Sequence, residues 1–231
     1  MIPSWSFAHI LILLKLIIEQ LYHLCTCPIF PDPLSITRDS NLQREAIDSL
    51  QQLQIAVDAE KDIAIKHGDE DYANLLLGCE CVTAALIAEL KMWLFLKEEN
   101  PDAAWDELVR AQMASWDAVR AHQGFAHLSN QFKKLEAIEK IVFPPQVFVS
   151  SGMIVKKQEC SICGGEYGEC DHLAGKPYMG RFCYIIARDL SVDHVAIVEQ
   201  PADKRCRIEH FDVEGGMRNR MTWKIKPKEN A

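Results

Sequence analysis

The sequence predicts an α+β protein: an antiparallel helical bundle followed by a small region of short β-strands. Three observations carry this reading. Apolar residues recur at helical spacing from about residue 42 to residue 141. Phe143-Pro144-Pro145 then ends that pattern, because proline cannot donate to a helical ladder. Beyond it lies extended chain rich in Val and Ile, in which cysteines and a histidine cluster. The 231 residues are 48% apolar and 25% charged, which supports a buried core and excludes wholesale disorder.

Taken in order, the first element is an amphipathic helix within residues 1–30. Phe7 to Leu24 is strongly apolar, but Lys15 and Glu19 interrupt it, so it reads as a packed or partner-bound helix, with a membrane anchor as the alternative. His9, Lys15, Glu19, Gln20 and His23 share one arc of about 140°, leaving a wide apolar face for packing or a partner. Pro28, Pro31 and Pro33 end it. Residues 31–145 then read as the bundle. Asp39 or Ser40 caps a helix over Leu42–Lys66, and His67-Gly68 stops it. A second helix, from Asp69 to about Glu99, is apolar on most sides and belongs in the middle. Asn100-Pro101 restarts the chain as cap and first helical residue, carrying a stripe to about His122. Gly124 breaks this helix, and a last one runs from about Leu128 to Ile141. Short connections make it an up-and-down bundle over residues 35–142. Within it, Cys79 and Cys81 point in different directions and read as small buried hydrophobes. Arg120 and His127 loosely resemble the arginine–histidine pair of HEPN-type ribonucleases, although Gly124 and Ala121 depart from that pattern.

Residues 146–231 read as a separate β-rich domain. Gln146 to Lys157 is extended with a turn at Ser151-Gly152. Cys160, Cys163, Cys170 and His172 follow with the spacing C-x2-C-x6-C-x-H. A CxxC turn puts two thiolates on one side of the backbone, and a C-x-H pair in extended chain places both side chains on one face. These four ligands within 13 residues are a closed set for a structural, tetrahedral zinc. Gly164-Gly165 forbids the helix that a thioredoxin-like CxxC would open. Cys183 is a substitute ligand or, as the better reading, a buried thiol beside the cluster. Three thiolates, an imidazole and Zn2+ sum to −1, which Lys156, Lys157 or Lys176 would offset. So small a domain has little core, and metal binding would supply much of its folding free energy.

Charge and cysteine content bound the function. The net charge is −8, divided as −9 over residues 1–150 and +1 over 151–231, so the whole surface does not suit nucleic acid. Nine cysteines, an odd number, five of them within 47 residues and no signal-peptide pattern, fit a reducing cytoplasm better than a disulfide scaffold. Arg218, Arg220, Lys224, Lys226 and Lys228 surround Trp223, a composition that single-stranded nucleic acid could use.

Two strings carry a family resemblance. Gly175-Lys176-Pro177-Tyr178-Met179-Gly180-Arg181-Phe182-Cys183 resembles a segment of tailed-phage proteins and their prophage relatives. Val192-Asp193-His194-Val195-Ala196-Ile197-Val198-Glu199-Gln200-Pro201-Ala202 is similar to the catalytic strand of phage prohead proteases. The resemblance covers about residues 158–210. Ala196 stands where that family carries its nucleophilic serine, and His194 stands in place of a glutamate, so the resemblance implies shared origin without proteolysis. The expected function is therefore a non-enzymatic, phage-related, zinc-binding assembly or interaction protein. Its expected partner is another protein or a second copy. The alternatives are a nucleic-acid-binding regulator using the zinc module and basic tail, or a degenerate prohead-protease-like hydrolase.

Overall fold

The computed structural model describes residues 37–227; the amphipathic segment expected over residues 1–30 lies outside them. The α+β class is observed. Among the described residues, four α-helices precede seven antiparallel strands, two of them long and five short. The helices are α1 (Ser40–His67), α2 (Glu70–Lys97), α3 (Pro101–Ala121) and α4 (Ser129–Val142).

The helix ends follow local chemistry. Asp39 accepts from the amides of Asn41 and Leu42, and Gly68 closes α1 at φ 72°, a left-handed conformation that costs glycine nothing. Asp69 and Asn100 cap α2 and α3 in the same way, with Pro101 in the first turn of α3. The break at Gly124 is a 3-10 turn over Gln123–Leu128, in which His122 accepts from the Gly124 amide.

Consecutive helices run antiparallel. Arg44 near the start of α1 reaches Glu98 just past the end of α2, and Lys61 meets Glu80 at 2.6 Å. Asp71 at the start of α2 meets His122 at the end of α3 at 3.3 Å. Gln112 of α3 donates to Glu139 of α4 at 2.7 Å. α2 is the central element, as its all-round apolar character predicts: fourteen of its residues are buried. Gly78 on this helix admits the ring of Phe125, which would collide with any Cβ there. α2 is also the one described helix long and apolar enough to cross a membrane, and 67% of its apolar window is buried inside the protein.

The strands are β1 (Phe148–Cys160), β2 (Pro177–Tyr178), β3 (Arg181–Phe182), β4 (Ile185–Val198), β5 (His210–Val213), β6 (Gly216–Asn219) and β7 (Ile225–Lys226). β1 and β4 form a long two-stranded ribbon, β2 and β3 a short hairpin, and β5–β6–β7 a three-stranded sheet. The expected turn at Ser151-Gly152 is corrected. The chain passes straight through as β1, and the irregularity is a register shift in which Gly152 pairs with His194 and Met153 with Val192. The His194 ring lies across Gly152, where it would have to swing aside for a Cβ.

The strands contribute few buried apolar side chains: Cys160, Cys183 and Met221. The region is held to the bundle at two places. At one, Arg207, whose side chain is 0% exposed, pairs with Asp102 at 2.7 Å and lies over the Trp105 ring, while Asn219 donates to the same carboxylate at 2.8 Å. Trp105 also packs on Phe143 and Phe148 and donates its indole N–H to the Lys204 carbonyl. At the other, the Gly180 amide donates to Asn74 at 2.9 Å, and Arg120, paired with Asp117, stacks over Phe182. Arg120 is thus engaged in joining the two regions. Asp102→Ala would leave the buried Arg207 with only the longer contact to Glu209, at 3.5 Å, so it should cost about 3 kcal/mol. The check is protection of residues 146–227 against hydrogen exchange, which should fall before that of α2.

Candidate metal centre

The loop between β1 and β4 is shaped by its own backbone. The Gly164 amide donates to the Cys160 carbonyl and the Cys160 amide to the Gly165 carbonyl, both at 2.8 Å, closing a tight turn with Gly164 at φ 73°. This turn aims the Ile162 amide at Cys160 Sγ, at 3.4 Å. Downstream, a 3-10 turn over Tyr167–Glu169 delivers Cys170 and His172. The Tyr167 hydroxyl accepts from the Ala174 amide, and the Tyr178 hydroxyl from the Leu173 amide, fixing the chain on either side of the histidine. The rings of His172 and Tyr178 meet edge to face, 4.8 Å between centroids.

The four residues singled out by spacing converge. The donor atoms of Cys160, Cys163, Cys170 and His172 all lie within 4.8 Å of one another. His172 Nδ1 is buried and has no hydrogen-bond partner. A lone buried nitrogen beside three sulfurs is what a metal ion would satisfy, so the donor set fits a Cys3His centre. Cys160 is buried and Cys163 exposed, while Cys170 and His172 are half-buried.

The electrostatics differ from those of the bundle thiols. The backbone amide of Cys163, helped by that of Ile162, favours the Cys160 thiolate and lowers its pKa to about 6. At Cys170 the amide of His172 acts in the same direction, but burial and the neighbouring Cys160 and Cys163 outweigh it and raise the thiol. Cys183 is raised by burial and by Cys160. In contrast, burial pushes Cys79 and Cys81 up to about 12, consistent with inert core thiols. Lys157, named from the sequence as a counter-charge, is tied to Glu159 at 2.8 Å.

The structure adds one residue that spacing had favoured only as a buried thiol. Cys183 Sγ stands 3.7 Å from Cys160 Sγ. The hairpin β2–β3 brings it there, through Cys183 N to the Lys176 carbonyl at 2.9 Å and Gly175 N to the Cys183 carbonyl at 2.7 Å. Beside the centre, an open cleft of about 450 Å³ is lined by Lys61, Leu77, Ser161, Ile162, Gly180, Arg181, Phe182 and Tyr184. Its Lys61 is already paired with Glu80. In β4, Ala196 pairs with Ser150 across the ribbon, and His194 pairs with Asp193 at the surface.

Comparison with known proteins gives no match: no family model fits the chain, and no curated protein or solved structure is significantly similar to it.

Replacing Cys163 and Cys170 together with Ala should remove metal uptake and leave residues 146–227 open to protease, while the far-UV helical signal of the bundle persists. A protease-resistant strand region in that variant would exclude a structural metal. A chelator in excess should give the same pattern in the unaltered protein.

Proposed function

We propose that this is a non-enzymatic assembly protein of phage or prophage origin, whose Cys3His centre holds a structural zinc and whose β1–β4 ribbon binds a second copy of the chain. The observation that carries this is the outer face of the ribbon. Along β1 the side chains of Val149, Met153 and Val155 alternate onto one face. On β4, Val195 and Ile197 share that face, whereas Val192 and Leu190 have the opposite parity in sequence. The register shift at Gly152/Met153 skips Asp193 and brings all four together. The resulting stripe is open to solvent: Val192 is 70%, Val195 68% and Ile197 73% exposed. A contiguous apolar face of this kind on a two-stranded ribbon, whose β1 edge is bridged only near its ends, at Phe148 and Glu159, is an interaction surface or an aggregation hazard.

A second copy suits it on charge. Lys156, Lys157 and Arg188 are balanced on the ribbon by Glu159, Asp189 and Asp193, so two ribbons related by a two-fold axis do not repel. The metal would serve this surface by fixing one end of the ribbon. The thiol-rich donor set and the free cysteines among the described residues suit a reducing cytoplasm. Ala196 supports loss of the protease nucleophile, and proximity of the gene to capsid and tail genes would support the phage origin.

Light scattering on the purified chain should give a dimer mass, and Val195→Lys with Ile197→Lys should give a monomer of unchanged helical signal. An unaltered mass in that variant would remove the ribbon from the interface. A monomeric protein that dimerises only on deletion of residues 1–30 would mean that the chain's own N-terminal segment covers the stripe.

A nucleic-acid reading has one specific observation in its favour. Arg220 stacks over Phe211, Phe211 meets Trp223 edge to face, and Arg218 stacks over Trp223, itself 60% exposed. Such arginine–aromatic platforms accept stacked bases. On this reading a labelled single-stranded oligonucleotide binds with steep salt dependence, and Trp223→Ala weakens binding by about 1–3 kcal/mol.

A further inference from the structure

We infer that Cys183 is a fifth donor of the metal centre, able to take the place of His172 as fourth ligand. The inference rests on the metal binding proposed for the Cys3His group. Ligand sulfurs about 2.3 Å from a tetrahedral ion lie roughly 3.8 Å apart. Cys183 Sγ is 3.7 Å from Cys160 Sγ, so this pair already has the separation of two ligands of one ion. The thiol is 1% exposed and shielded from competing reactions with solvent.

Its position is built rather than incidental. Gly175 and Lys176 bind the Cys183 backbone from the strand side. The next residue, Tyr184, donates its amide to Ser161 Oγ at 2.9 Å, and its carbonyl accepts from the Ser161 amide at 3.1 Å. Cys183 is therefore tied directly to the CxxC turn that carries Cys160 and Cys163. Cys79 is equally buried but sits among apolar side chains, where a thiol serves as a small hydrophobe. Cys183 faces a thiol instead.

The exchange is simple ligand substitution. With a metal bound, its bond to His172 nitrogen would break, a bond to Cys183 sulfur would form, and the thiol proton would pass to solvent. Nothing is oxidised or reduced. The charge of a zinc centre goes from −1 with three thiolates to −2 with four. His172 is the donor to be replaced because it is the single nitrogen in the set, and its departure leaves Cys160, Cys163 and Cys170 in place beside Cys183.

Cobalt(II) titration of the full chain under reducing conditions reads this directly, since d–d and thiolate-to-metal absorption report the donor set. The unaltered protein and Cys183→Ala should each take up one cobalt with the signature of three thiolates and one imidazole. His172→Ala should also take up one cobalt, with thiolate-to-metal intensity higher by about a third and the d–d band at longer wavelength. His172→Ala combined with Cys183→Ala should lose affinity by about 100-fold or more. If His172→Ala has lost its helical signal, His172→Asn is measured in its place against the same expectations. The proposal is overturned if the single histidine variant loses cobalt as completely as the double variant, or binds it with no gain in thiolate intensity. Failure of the unaltered protein to bind any metal would overturn the Cys3His reading as well, which separates the two.

Discussion

The strand region buries almost none of its apolar side chains. Of its buried hydrophobic residues, Met221 belongs to the core cluster around Trp105 and Leu108, Cys160 is one thiol of the candidate centre, and Cys183 lies against it. A chain segment of this size needs some substitute for a core. A metal held by the converging sulfurs and nitrogen would supply a chemical cross-link where other small folds interdigitate side chains. The cost of gathering thiols shows at Cys170 and Cys183, whose pKa values burial and then the neighbouring Cys160 push upward. A dication in their midst reverses that balance.

The bundle supplies what the centre does not. Arg207 is carried into the protein by a strand-region loop, yet its carboxylate partner, Asp102, comes from the first turn of α3. Gly180 in the β2–β3 turn is received by Asn74 of α2. These contacts lie at the two ends of the ribbon, whose middle touches solvent on its outer face. The ribbon is thus a strap fastened twice, and its register shift decides which residues it shows.

The bundle was legible in the sequence because each helix carries its own punctuation. Asp39, Gly68, Asp69 and Asn100-Pro101 act on atoms within a few residues of themselves. The convergence of Cys160, Cys163, Cys170 and His172 was legible for the same reason, since 13 residues leave little freedom in how a turn can place them. The ribbon was not. Its apolar face depends on a skipped residue, Asp193, and parity along one strand says nothing about a bulge fixed by the other. Gly152 signals a turn in isolation and proves to be a seat for a cross-strand histidine. Cys183 was ambiguous because ten residues separate it from His172, and only the β2–β3 hairpin decides how they fold back.

The position of the centre between β1 and β4 also governs the order in which the ribbon can assemble. Cys160 pairs with Ile185, next to the donor cluster, and the remaining pairs run outward to Phe148 and Val198. Before any of them forms, the chain must close the loop of residues 161–184, an entropic cost that no strand pair has yet offset. A metal ion gathering ligands inside that loop would close it first. Pairing would then proceed from a short contact distance, as in a tight hairpin, and its rate would follow metal supply.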